Sequence, residues 1–213
     1  MKPGLQYMAA LGKTAANSVD VPVSLHLDHA NEQEVLQAIA SVSPLSCLMA
    51  MRSPCRNVAT TKRLCAIAHS LNVCMEAEIG EIHSKPDGLE FNSADITLTT
   101  PDEAEQFVNA TGIDLLAIAL GSVHGLKDKS VSLDLARLQA IRERVDTPLV
   151  LHGSSGVNDN DITQGIKLGL AKVNIAAQLE QSLHWRGAWW PPIANSSIRV
   201  NTWGQAGRCP DGK

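Results

Sequence analysis

Residues 115–125 read Leu-Leu-Ala-Ile-Ala-Leu-Gly-Ser-Val-His-Gly. Six apolar residues in a row are too few for a helix, but they suit a strand buried on both faces of a parallel sheet. The run stops at small and polar residues, and His124 is the first ionisable group beyond it. On the N-terminal side, Thr100-Pro101-Asp102-Glu103 predicts a helix start, with Thr as cap, Pro at the first position and acids in the first turn. On the C-terminal side, residues 133–145 predict a helix. Pro148 to Leu151 then predicts a strand that stops at His152-Gly153-Ser154-Ser155-Gly156.

The same unit repeats outward. Val21 to Leu27 reads as a strand ending at Asp28-His29, followed by a helix from Asn31 to Ala40 with Asn31 as N-cap and Glu32 and Glu34 in its first turn. Val58 to Leu71 reads as a helix and Val73 to Glu78 as a strand. Residues 83–99 read as a loop around Pro86-Asp87-Gly88. Asp159 to Leu168 reads as a helix ending at Gly169, and Lys172 to Ala176 as the last strand. A weaker strand lies near Leu45 to Met49. Alternating strands and helices predict an α/β fold with a parallel sheet. Periodicity does not choose between an open sheet and a closed barrel.

The chain has 213 residues and a net charge of −4, shorter than the roughly 250 of a full eight-fold barrel. No basic stripe with interleaved aromatics suggests nucleic acid. No apolar run approaches the roughly 20 residues that cross a bilayer, and Met1 to Tyr7 has no signal-peptide pattern. A cytoplasmic location is the expectation. The five cysteines lack Cys-x-x-Cys spacing and read as reduced thiols. All four tryptophans (Trp185, Trp189, Trp190 and Trp203) fall in the last thirty residues, beside Pro191-Pro192 and several glycines. That tail differs sharply from the rest of the chain.

Polar groups at the C-terminal ends of successive parallel strands converge on one mouth, where such folds place their chemistry. Three of the seven histidines (His29, His124 and His152) end three strands. Each alone suits a hydrogen-bonded structural role. Three in phase suit an open zinc site, whose metal would polarise a carbonyl oxygen. Asp28 is either a general acid/base or the cap of the following helix. Glu76 and Glu78 end another strand and are read as facing opposite sides of it, so only one is expected in the mouth. Gly153-Ser154-Ser155-Gly156, with Asn158 or Asp159 opening a helix beyond, is either a common loop or an anion site.

These residues carry a resemblance. Pro-Val-Ser-Leu-His-Leu-Asp-His (22–29) resembles the third strand of class II ketose-bisphosphate aldolases. Glu-Ala-Glu-Ile-Gly (76–80) resembles their fifth and Gly-Ser-Val-His-Gly (121–125) their sixth. Leu-Val-Leu-His-Gly-Ser-Ser-Gly (149–156) is similar to the seventh and Lys-Val-Asn-Ile-Ala (172–176) to the eighth. The match runs in order over about residues 4–183. His-Leu-Asp-His with Thr-Gly-Ile-Asp-Leu-Leu-Ala-Ile-Ala resembles the tagatose-bisphosphate branch. The resemblance implies an incomplete (β/α)8 barrel with strands 3 to 8. It further implies one catalytic Zn2+, a monovalent cation beside it, and reversible cleavage of tagatose or fructose 1,6-bisphosphate to dihydroxyacetone phosphate and glyceraldehyde 3-phosphate. It makes His29, His124 and His152 the zinc ligands, Asp28 the proton donor and Glu78 a polar support. Gly125, Gly153, Ser154, Ser155, Asn174, Ile175, Ala176 and Ala177 would line the substrate. Intact relatives imply a homo-oligomer, dimer or tetramer. A non-catalytic remnant or an accessory subunit of an intact aldolase is the alternative.

The chain departs from that pattern in several places. The family's eighth strand ends Asn-Val-Ala-Thr, whereas this one ends Asn174-Ile175-Ala176-Ala177 and lacks the hydroxyl. The loop after the fifth strand, here Ile82 to Asp87, lacks the family's Gly-Gly-x-Glu-Asp-like stretch. The family has two strands before the one at Val21, and this sequence is expected to start after them. Residues 41–56 replace the family's fourth strand and its Asp-Gly pair, and suggest a local frameshift. Read from the third codon base, Met49-Ala50 forces a Gly, and Leu48-Met49 restricts the residue before it to Asp, Asn, His or Tyr. Residues 184–213 admit the same explanation, so 1–183 is read as partial barrel and 184–213 as an aberrant tail. Sequencing the coding DNA tests this: a gene that spells no family-like string in the neighbouring frame rules it out.

Overall fold

The computed structural model describes residues 4–41, 47–51, 58–80, 97–126, 128–177, 179 and 198–202. The 83–99 loop expected from sequence therefore lies almost wholly outside the described residues, as do most of 41–56 and of the tail. The chain divides into two compact units, one holding α1–α3 with β1–β3 and β7, the other α4–α6 with β4–β6.

In the first unit, α1 (Leu5–Ala16) leads into β1 (Val23–Ala30), α2 (Glu32–Ser41), β2 (Cys47–Met51), α3 (Val58–Ser70) and β3 (Cys74–Ile79). β1, β2 and β3 run parallel in that order, and β7 (Ile198–Thr202) pairs antiparallel on the other side of β1. The weak strand near Leu45 is real: β2 pairs with both neighbours over residues 47–51. Helix α2 starts where Asn31 predicts. Asn31 Oδ1 accepts from the Glu34 amide at 3.0 Å and Glu34 returns the bond to the Asn31 amide at 3.1 Å, a capping box. Small residues of α1, Ala9 and Gly12, face inward, and a side chain at Gly12 would collide with Leu25 of β1. Asp114 ties in the start of β3: it accepts from the Met75 amide at 2.7 Å and lies 2.9 Å from His69 Nε2. Cys65 is a buried free thiol, whereas Cys74 is disulfide-bonded. The expectation of five reduced thiols therefore fails at Cys74, because a compartment argument does not see which thiols lie side by side.

In the second unit, α4 (Pro101–Thr111) precedes β4 (Leu115–Ile118), α5 (Leu135–Arg142), β5 (Leu149–Leu151), α6 (Asp159–Lys167) and β6 (Leu170–Val173). β4, β5 and β6 are parallel. The apolar run 115–120 is buried throughout, with Leu116, Ala117 and Ile118 fully so. Thr100 and Glu103 form the second capping box. Asp134 caps α5 through the Arg137 amide, and Asn158 caps α6 through the Asp161 amide. Thr99 stitches the unit together: its hydroxyl donates to the Ile79 carbonyl and accepts from the Ala119 amide. β6 begins earlier than sequence predicts. Gly169, at φ +112°, ends α6 and turns the chain directly into Leu170. Among the described residues no helix is long and apolar enough to cross a membrane.

Candidate metal centre

Asp28 and His29 leave the end of β1 together. On a regular strand adjacent side chains face opposite sides. Here the pairing of β1 with β2 slips between Leu27 and Ala30, and His29 takes φ +49°. That backbone turn brings His29 Nε2 to 3.7 Å from Asp28 Oδ1. Positive φ on a residue that is not glycine is costly and clusters at functional sites. Asp28 is buried, and its Oδ1 also lies 3.6 Å from His26 Nε2. Asp28 does not cap α2, because Asn31 fills that role. His26 was given no role by the sequence reading. The signal was available, since a residue two before Asp28 shares its face of the strand. On β3, Glu76 and Glu78 are both buried. The expectation that they face opposite sides fails, because residues two apart on a strand share a face; Glu78 lies nearer the C-terminal end.

In the other unit, the His124 and His152 rings approach edge to face, with centroids 6.3 Å apart and planes at 70°. Gly153 makes that approach feasible. It sits at φ +66°, and a Cβ there would come within 3.0 Å of the Val123 backbone. Ser122 Oγ donates to the His152 carbonyl at 2.7 Å and fixes the strand end from beneath. Ser154 Oγ donates to the Asn174 carbonyl at 2.6 Å. Its single proton is therefore committed within the protein, and it meets a ligand as an acceptor. Ser155 and Asn174 are buried, Gly125 and Ile175 are exposed, and Ala176 and Ala177 are half-buried.

His29 and Glu78 in the first unit and His124 and His152 in the second are the residues that could hold a metal ion. Three imidazoles and a carboxylate are a donor set that suits zinc. The three histidines expected from sequence are among these candidate ligands, and Glu78, expected only as a support, is a fourth.

Residues 1–188 match the family model of fructose-bisphosphate aldolase class-II. Among solved structures, the YdjI aldolase from Escherichia coli K12 is 30% identical, with a TM-score of 0.70 over 86% of this chain and 64% of that one. A proposed fructose-1,6-biphosphate aldolase from Coccidioides immitis is 35% identical, with a TM-score of 0.70 over 88% of this chain and 70% of that one. This chain therefore spans a little under two thirds of the length of the YdjI aldolase. The parallel α/β architecture agrees with these neighbours, and an incomplete (β/α)8 barrel is consistent with the family. The family model covers all but the last 25 residues, and this chain belongs to the class II fructose-bisphosphate aldolase family.

Proposed function

We propose that this chain carries the zinc-dependent lyase centre of a ketose-bisphosphate aldolase. It would act on tagatose or fructose 1,6-bisphosphate and release dihydroxyacetone phosphate and glyceraldehyde 3-phosphate. The observation that carries the reading is the set of three histidines and a glutamate at strand ends, with the Asp28 carboxylate 3.7 Å from His29 Nε2. His29, His124 and His152, with Glu78, would hold the ion. Bound zinc supplies a Lewis acid for the ketone oxygen.

The chain's own groups do the rest. In cleavage the C4 hydroxyl gives up its proton and the C3–C4 bond breaks, its electron pair staying with the ketone half. That half is then protonated at C3. Asp28, buried and beside a ligand histidine, is placed to move that proton. Gly153 and the turn after it bring backbone amides near the strand ends, where phosphate oxygens can be held. Asn174, Ile175, Ala176 and Ala177 would complete the substrate wall, with Gly125 and Ser155. The same reading makes the protein a cytoplasmic homo-oligomer of sugar-phosphate metabolism with a monovalent cation near the zinc.

The test is cleavage of both bisphosphates by the purified chain, with triose phosphate measured by a coupled assay. Turnover should vanish with chelator and return with zinc. Asp28→Asn should keep its zinc and lose about 100-fold or more in kcat. A folded, zinc-loaded chain without turnover on either sugar would sink the enzyme reading and favour an accessory subunit.

A further inference from the structure

Strand β6 is irregular at the point that decides where Lys172 points. Its ladder with β5 pairs Leu149 with Leu170 and then Val150 with Lys172, so Ala171 is an extra residue. A one-residue insertion flips every later side chain to the opposite face. Before the bulge, Leu170 packs toward α6, since a side chain at Gly165 would collide with it. An unbroken strand would send Lys172 to that same helix-covered face. The bulge instead puts Lys172 on the face of Val150, where alternation also places His152 and Asn174.

That face is buried: Lys172 is only 6% exposed and Asn174 5%. Lysine is rarely buried to this degree unless its charge is paired, and a bulge that re-aims one side chain is characteristic of strands beside active sites. Among the described residues, neither amide atom of Asn174 has a hydrogen-bond partner, although buried polar atoms nearly always have one. A ligand at this face would satisfy them.

We infer that Lys172 is a positioning residue for an anionic substrate. Its ammonium, one pleat below Asn174, supplies positive charge that favours a triose phosphate or sugar phosphate held by the Asn174 amide. The inference rests on the aldolase reading and names a further residue of that site. Charge acts over several ångströms in such surroundings because water screens it little.

Calorimetric titration of the zinc-loaded chain with dihydroxyacetone phosphate tests it without turnover. Lys172→Met and Lys172→Gln should weaken binding about tenfold or more, with zinc stoichiometry and melting temperature kept. Lys172→Arg should stay within about threefold of the parent, and KM should move more than kcat in the neutral variants. Unchanged binding in the neutral variants overturns the inference, as does an Arg variant no better than the Met one. Failure of both neutral variants to fold also overturns it, by assigning the lysine to the core alone. A parent chain that neither binds dihydroxyacetone phosphate nor cleaves sugar bisphosphates sinks the aldolase reading itself, and this inference with it.

Discussion

At Asp28 and His29, sequence and structure agree on the residues while the geometry joining them was hidden. A period-two strand sends these neighbours to opposite faces, so their proximity cannot follow from alternation. The slip between Leu27 and Ala30 and the positive φ of His29 resolve the conflict. No residue type in 23–30 announces that turn, because glycine, its usual marker, is not used there. Only their place at strand ends sets His29, His124 and His152 apart from the other four histidines in the sequence. Cys65 shows another residue-scale effect. Burial, with the Asp114 carboxylate adding to it, pushes its thiol from 9.0 up to about 12. The unfolded chain ionises this thiol near pH 9 while the folded chain does not, so the folded state binds more protons above that pH. The stability this difference contributes is intact below pH 9 and is lost as pH rises toward 12. Urea midpoints should fall between pH 8 and pH 10.5, and Cys65→Ala should fall less over the same interval. Equal slopes for the two proteins would show that the thiol does not govern the alkaline loss.

Among elements, those with polar punctuation were the legible ones. Asn31, Thr100, Asp134 and Asn158 all cap helices within a residue or two of where composition placed them. Helix α1 was not foreseen, and the reason is physical. Its inward face is Ala9 and Gly12, while Tyr7 and Leu11 are 74% and 64% exposed. Close packing against β1 demands small residues, and this inverts the apolar stripe that periodicity looks for. The β6 bulge was equally silent, since Ala171 differs in no way from a paired alanine. Gly153 is the element-scale hinge of the site, joining β5 to the turn at 154–156. Gly153→Ala must hold φ +66° with a Cβ against the Val123 backbone, at a cost of about 1–3 kcal/mol. His124 and His152 should shift apart as the backbone yields. Denaturant titration should show that loss of stability, and zinc affinity measured against a competing chelator should fall in parallel. Wild-type zinc affinity with lowered stability would separate the glycine's backbone role from the metal site.

For the whole molecule, the open question is what lies along the free side of β1. The tail composition, rich in tryptophan, proline and glycine, argued for setting residues 184–213 apart from the fold. Within that tail, β7 pairs antiparallel with β1 in five steps, from Val23 with Thr202 to Leu27 with Ile198. A strand edge left unpaired is a template for association with other chains, and β1 carries the residues that lead directly to Asp28 and His29. The tail thus has a structural task whatever the origin of its sequence, because covering an edge needs backbone hydrogen bonds more than particular side chains. Ending the chain after residue 197 removes β7 and leaves the β1 ladder open on that side. The shortened chain should lose soluble yield and elute as larger, polydisperse species by size-exclusion chromatography with light scattering. Its zinc content should also fall, since the end of β1 is no longer held from both sides. A shortened chain as soluble, as well dispersed and as zinc-loaded as the parent would make the tail a passenger, and the edge of β1 would then be covered by something other than β7.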